Sequence, residues 1–405
     1  MFTVIEQRPP PVPTRGVGVW LKKNLFSSPF NTVLTLLTAV VVGFAVYNLA
    51  LFIFVEASWG QVWANMKLFG VFRYPFDLLW RPLTIIAVMM GLLGVMSGAS
   101  GRGSIVANAF FAFLGLAGLV SVIAVIFWPS VRFLWPLVPI VGLIGYFAGN
   151  ALPNIVRWLP WAWIVWLFGG LALLYGFMPG SGLLRVVPSR DWGGFLLTLV
   201  LFTGIIPSFP IGVALALGRA SKLPAIKGFC IGFIEIVRGA PLIMWLFIAS
   251  LLLPLILDVD ANSLPAIIRA YVAITLFSAA YMAENVRGGL QAVPRGQGEA
   301  ARALGLSAWQ TTLLIVLPQA LRAVIPAIVG QAIGLFKDTS LVFIVGLVDF
   351  FKVADLVSVQ PQSLLVTGGV KLEVFLFIAL IYFFFAYRMS VASRQLEKEL
   401  GVGER

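Results

Sequence analysis

Apolar residues run through this chain in long unbroken stretches rather than at every second position. Continuous runs of that length predict helices, because strands half-buried in a sheet would alternate. Ten stretches have the length: 30–55, 82–100, 104–127, 133–152, 158–178, 192–218, 229–256, 265–286, 313–336 and 372–391. A helix needs roughly 20 apolar residues to cross a hydrocarbon core about 30 Å thick. The stretch 133–152 fits least well, since it carries Pro136 and Pro139. Only a Gly/Ser-rich turn, "SGASGRGS" around Arg102, separates 82–100 from 104–127. The pattern predicts an all-α polytopic membrane protein with about ten transmembrane helices, or eight if 104–152 is one re-entrant unit.

Composition agrees. The chain has 405 residues, of which 60% are hydrophobic and 11% charged, against about 25% charged in soluble proteins. It has no histidine and a single cysteine, Cys230. That excludes His-based metal sites, His general bases and an intrachain disulfide. Cys230 reads as a small packing residue.

The net charge of +12 sits at the ends of the apolar runs, which reads as membrane topology and not as a nucleic-acid surface. Short loops carry Arg8, Arg15, Lys22 and Lys23, then Arg219, Lys222 and Lys227, then Arg287, Arg295 and Arg302, then Arg394 and Lys398. Ten spans put all of these on one side, the cytoplasmic one, with both termini there. The other side receives Asp258, Asp260 and Asp355. It also receives Lys67, Arg73 and Arg81, which run against the rule. The first apolar run is too long for a cleavable signal core, and residues 1–29 read as a flexible cytoplasmic tail.

The chain divides near residue 190. Runs before it are rich in Trp and Gly, as in "RWLPWAWIVWLF" (157–168), which reads as an interfacial aromatic belt. After it, charges recur within or beside spans: Glu235, Arg238, Glu284, Arg287, Lys337, Asp338 and Glu373. Ionisable groups at membrane depth default to pairing or function. The expected organisation is a tail (1–29), a transmembrane extension (30–190), a five-span working core (191–395) with a cytoplasmic loop (287–312), and a second tail (396–405).

Within that loop lies "GEAARALG" (298–305). Pro294 suits a helix start and Gly305 a helix end, where glycine takes the left-handed conformation cheaply. Between them Ala300, Ala301, Ala303 and Leu304 give a smooth surface. Two uses fit: a helix that seats in a soluble partner, or an interfacial helix that covers the ends of neighbouring spans.

The residue pattern "EAARALGLSAWQTTLLIVLP" resembles the EAA loop of ABC importer permeases, with Gly305 six residues after Glu299 and Leu317-Pro318 beyond. "EIVRGAPLIMWLF", "AENVRGGLQAVPRGQ" and "GLFKDTSLV" resemble the polar amino acid (histidine and glutamine permease) subfamily. The long N-terminal extension with "NLFSSPFNTVLTLL" is similar to the general L-amino acid permease subunits of Gram-negative bacteria. Two departures stand out: Ala240 where the family often has Thr, and Gln331 where it often has Asn.

The resemblance implies a type I importer permease in the bacterial inner membrane. Glu299, Ala300, Ala301, Arg302, Gly305 and Leu306 would form the coupling helix seated in an ATP-binding cassette ATPase dimer. A second homologous, non-identical permease subunit would pair across the pathway, and a periplasmic binding protein would deliver an L-amino acid. ATP and Mg would be held by the partner ATPase, with no cofactor in this chain. The chain itself has no Gly-Lys dipeptide, and so none of the Gly-rich phosphate loop that ends in Gly-Lys. No catalytic constellation is present, so the expected role is passage and coupling, not enzymatic turnover.

For the pathway, Asp338 with Thr339 and Ser340 could meet a substrate amino group, with Lys337 beside them. The alternative is an interhelical ion pair that fixes the fold. Glu235/Arg238 and Glu284/Arg287 are each spaced i,i+3, which permits edge ion pairs or pairs that transmit motion. Pro318 and Pro326 predict a bend. An importer for another solute remains open, as does an ion-coupled secondary transporter, although the latter usually shows inverted repeats and none is evident.

Overall fold

The computed structural model describes residues 16–101, 104–127, 133–178, 182–259, 264–399 and 401. The expectations for the tail 1–15 with Arg8 and Arg15, for Arg102, for Asp260 and for 402–405 lie outside the described residues. Met1–Trp59 and Gly60–Arg405 form two compact units.

The first unit holds α1 (Val17–Asn24) and α2 (Pro29–Leu51), the latter continued by a π turn, Phe52–Glu56. Ser28 caps α2 by accepting from the Asn31 N–H at 3.1 Å, and Pro29 occupies the first turn, where its missing N–H costs nothing. The 28-residue apolar segment Pro29–Glu56 is long enough to cross a bilayer, and none of α2 is buried in the protein.

The second unit begins with two short helices, α3 (Gly60–Ala64) and α4 (Met66–Val71). Then come α5 (Trp80–Ser100), α6 (Ile105–Phe127), α7 (Leu137–Ala151) and α8 (Leu159–Tyr175). At 15 residues α7 is about 22 Å long, short for a span. Pro139 lies in its first turn, where no N–H is required. Glycines hold α7 against α5. A Cβ added at Gly94 would lie 2.2 Å from the Gly142 carbonyl, at Gly98 2.1 Å from Tyr146 O, and at Gly145 2.1 Å from Gly91 O. The two backbones touch, as small-xxx-small spacings allow. Trp166 on α8 donates to Ile85 O at 2.9 Å, while Trp158 and Trp161 stay exposed, so only part of the aromatic stretch can serve as a belt.

The three basic residues that ran against the charge rule are held by the fold. Lys67 sits 3.9 Å from the Phe76 ring centroid, and burial lowers its pKa. Arg73 lies over the Phe72 ring. Arg81 is fully buried and donates to the carbonyls of Leu174, Leu183 and Arg185. Tyr74 donates to Leu174 O at 2.8 Å in the same cage, and burial pushes its hydroxyl up to about 12.

The remaining helices are α9 (Gly194–Phe202), α10 (Ile205–Arg219), α11 (Pro224–Arg238), α12 (Leu242–Ile256), α13 (Ala266–Ala292), α14 (Arg295–Ala303), the turn α15 (Ala308–Gln310), α16 (Leu317–Asp338), α17 (Phe350–Ser358), the turn α18 (Pro361–Leu364) and α19 (Lys371–Glu399). α13 is the most buried span and packs against α10, α11, α12 and α16.

The expected span 229–256 is broken in its middle. α11 and α12 meet at 109° across Gly239-Ala240-Pro241. Pro241 has no N–H to offer the Val237 carbonyl and biases Ala240 away from helix. The Trp245 indole fills that vacancy, donating to Val237 O at 2.9 Å. The same solution recurs at Pro254, inside α12. The carbonyl it orphans, that of Ser250, accepts from Arg269 of α13. Pro326, by contrast, does not end α16, which runs through it. The irregularity falls earlier, in a π segment Thr311–Val316 just before Pro318.

Among the described residues, eight helical segments are long and apolar enough to cross a membrane. The bent pair α11–α12 makes a ninth, and the shorter apolar α7 stands beside them.

Candidate functional site

One end of the core gathers charge. Arg219 closes α10, Glu235 and Arg238 lie in the last turn of α11, and Glu284 and Arg287 lie near the end of α13. Arg287 clasps Glu284 with both Nε and Nη2. The expected Glu235–Arg238 pair does not form. Glu235 accepts from Arg219 at 2.9 Å, and Arg238 reaches Glu284 at 3.5 Å while its guanidinium lies over the Tyr281 ring. Arg219 also approaches Glu284 at 3.7 Å. α11 packs on both α10 and α13, and each offers its own opposite charge. Glu284 is thus the hub of three guanidiniums from three helices. Arg219 is a member that i,i+3 spacing could not show.

The chain leaves α13 at this end and forms the segment around Glu299. Pro294 precedes α14 as its N-cap, one position earlier than a first-turn proline. α14 ends in a two-bond cap. Leu306 N–H donates to Ala301 O at 3.2 Å and Gly305 N–H to Arg302 O at 2.9 Å. Gly305 has φ +83°, the left-handed value this motif demands. Ser307 and Gln310 then cap each other reciprocally at the next turn. The chain turns into α16 from there.

With its C-terminus closed in this way, α14 presents one face outward. Glu299, Ala300, Arg302, Ala303 and Gly305 are exposed, as are Leu304 at 84% and Trp309 at 66%. Ala301 differs: it is 4% exposed and faces inward. α14 packs on the π segment Thr311–Val316, and Gln319 of α16 donates to Gln297 at 3.4 Å, so Ala301 lies on the inner side of α14 instead of offering surface. Leu306 is half-buried. Trp309 was missed. Its signal was an aromatic residue in "LSAWQ", a loop otherwise polar and small.

At the far end of α16 the four expected pathway residues separate. Lys337 is exposed and Asp338 half-buried, and among the described residues neither forms an ion pair. Thr339 is fully buried and donates to Phe336 O at 2.8 Å, so it lines no open surface here. Ser340 donates to Lys337 O at 2.8 Å. Beyond them Asp349 is fully buried and caps α17, accepting from the N–H groups of Phe351 and Lys352. Burial pushes its carboxyl up to about 7, against the lowering effect of those donors. Asp349 was also missed, because only the fold buries it.

No group of histidine, cysteine and carboxylate suited to a metal occurs among the described residues. What the geometry offers is an exposed helix, held to the bundle by Ala301 and the Gln319–Gln297 bond, at the end of the bundle where an ion-pair hub ties α10, α11 and α13 together.

The chain is similar in sequence to known proteins. Residues 208–401 match the family model described as "binding-protein-dependent transport system inner membrane component". The chain is 38% identical over 403 residues to an inner membrane amino-acid ABC transporter permease protein of Escherichia coli, YhdY. That match covers 95% of this chain and 93% of the relative. The chain belongs to the ABC transporter permeases. It is also 38% identical to BztC of Rhodobacter capsulatus, a glutamate/glutamine/aspartate/asparagine transport system permease protein, over 98% of this chain and 96% of that one. A probable glutamine permease of Bacillus subtilis, GlnP, matches 51% of this chain with 91% of its own length, at 38% identity. A permease can therefore consist of about the core alone. The ABC permease is a membrane subunit and not an enzyme. The ATPase is a separate subunit, in keeping with a chain that lacks a Gly-Lys phosphate loop.

Proposed function

We propose that this permease conducts polar L-amino acids into the cell and that the exposed face of α14 seats in the ATPase that drives it. The observation that carries the second part is α14, closed at its C-terminus by the two-bond cap at Gly305, with Glu299, Ala300, Arg302 and Leu304 outward. A segment that must bear force needs a defined exit into the next span, and the cap at Gly305 followed by the Ser307–Gln310 capping box gives it one. Trp309 extends the seat as an apolar anchor, the residue type that dominates interface energies. Both termini and the α14 end lie on the cytoplasmic side in this reading, because the short loops there hold the clustered Lys and Arg. A second permease subunit completes the pathway, an ATPase pair carries ATP and Mg, and a periplasmic binding protein delivers substrate. The amino-acid substrate rests on the names of the long relatives, which match the extension as well as the core.

The experiment is competitive uptake in cells that co-express the chain with its permease partner, ATPase and binding protein. Labelled glutamine or glutamate should enter saturably and be displaced by other polar L-amino acids. Lack of saturable entry for every L-amino acid tried contradicts the substrate reading.

Asp338 supplies the pathway carboxylate in this reading, since it is half-buried and free of an ion pair among the described residues. Asp338→Asn should keep assembly and weaken uptake by about tenfold, the effect of losing one charge-assisted hydrogen bond of about 1.5 kcal/mol or more. Unchanged transport and substrate range in that variant removes Asp338 from the pathway.

A further inference from the structure

α16 does two things at once. It continues from the α14 loop, and deeper in the membrane it carries Gln331. Both ends of that amide are used. Its Oε1 accepts from Asn285 Nδ2 at 2.8 Å, and its Nε2 donates to Ser278 O at 2.7 Å and to Ser278 Oγ at 2.9 Å. Ser278 and Ser208 share a hydrogen bond at 3.2 Å, and Ser208 donates to Ile205 O at 2.7 Å. The Ser278 carbonyl is an acceptor only, which fixes the amide's orientation. The chain of bonds thus joins α16 to two positions on α13, and through Ser278 to α10.

Steric contacts reinforce it. A Cβ at Gly289 of α13 would lie 2.5 Å from Ala320 O on α16, and a Cβ at Gly212 of α10 would lie 2.6 Å from Met282 Cβ. α16 therefore has two attachments to α13. One is the apolar contact at Ala320, next to the loop. The other is the amide, eleven residues on, or about 16 Å further along the helix. Apolar contacts tolerate sliding. Directional bonds from a half-buried amide between apolar helices do not, because each unmade one leaves a polar group with few other partners.

We propose that Gln331 is a positioning residue for coupling: its amide clasps α16 to α13 and α10 at membrane depth, so that a displacement of the α14 loop moves three helices together. The inference rests on the permease reading above, in which α14 receives force from the ATPase. It assigns the delivery of that force to Gln331, with Ser278, Asn285 and Ser208 as its partners. Ser208 and Ser278 are buried, Gln331 and Asn285 half-buried, and none of the four contacts α14, so the clasp acts on the helices and not on docking.

The test uses the assembled complex in proteoliposomes, with ATP hydrolysis and labelled uptake measured on the same sample. Gln331→Leu should assemble with the ATPase and hydrolyse ATP, yet consume about fivefold or more ATP per substrate carried, the usual lower range of a lost coupling. Gln331→Asn, which retains both ends of an amide, should recover most of the ratio, which a role in packing alone would not restore. An unchanged ATP-to-substrate ratio in Gln331→Leu overturns the clasp. So does an equal fall of uptake and hydrolysis in both variants. If Gln331→Leu does not assemble, Ser208→Ala cuts only the last link to α10 and carries the same measurement: a raised ratio supports the clasp and an unchanged one overturns it. A wild-type complex without ATP-dependent uptake overturns the permease reading and the clasp with it, which separates the two failures.

Discussion

Glu299→Lys should leave the chain in the membrane and abolish ATP-driven uptake. Glu299 is exposed on the outward face of α14, beside Ala300, Leu304 and Trp309. Among the described residues none forms an ion pair or side-chain hydrogen bond with it, so folding has little to lose. The docked state has much to lose, because like charges set against each other at an interface cost several kcal/mol, a loss of about 100-fold or more in affinity. Gly305→Asp should act through a different cause. At φ +83° a side chain pays a left-handed penalty of roughly 1–2 kcal/mol, less for Asp than for most residues, and its carboxylate opposes the helix C-terminus. Co-purification with the ATPase measures both variants. Wild-type recovery and uptake in each would return the segment to an ordinary surface helix.

The second large effect belongs to the extension. Gly145→Leu should destabilise the permease or prevent its accumulation, because its Cβ would meet Gly91 O at 2.1 Å, a backbone atom that cannot step aside alone. Forcing extra volume into a tight contact typically costs about 1–3 kcal/mol and can cost more, and here α5 and α7 must part along their length. Gly115→Leu on α6 is the matched control, with nothing within 4 Å of its Cβ. Thermal unfolding in detergent, followed by size-exclusion recovery, compares them. Equal stability of the two variants contradicts a glycine-mediated α5–α7 contact.

The two predictions mark what the sequence displays and what it withholds. Spans are legible because a bilayer imposes length and apolarity on every helix that crosses it. The loop from Pro294 to Gly305 is legible because helix ends have local chemistry, and the structure places its cap where Gly305 stands. The break between α11 and α12 had a local signal too, Gly239 and Pro241, but a continuous apolar run masked it. Pairing is different. The i,i+3 spacing of Glu235 and Arg238 permitted a bond that α10 and α13 outbid, since Arg219 and Glu284 arrive from distant parts of the chain. Ala301 looked like surface because small residues suit both an exposed face and a close contact, and only packing distinguishes them. The glycines at 91, 94 and 98 and at 142, 145 and 149 are visible as spacings, but nothing local says that the two sets meet. Gln331 looked like a substitution within a motif, and its partners Ser208, Ser278 and Asn285 carry no pattern until three helices bring them together.

The central claim is that this chain provides passage, while energy arrives through α14 from a separate ATPase. The most direct measurement is uptake of labelled L-glutamine or L-glutamate into proteoliposomes that contain the permease pair, with the loaded binding protein on one side and ATP on the other. Uptake should require ATP and the ATPase together, and should vanish when Glu299→Lys replaces the wild-type chain. Uptake that proceeds without ATP or without the ATPase would contradict it.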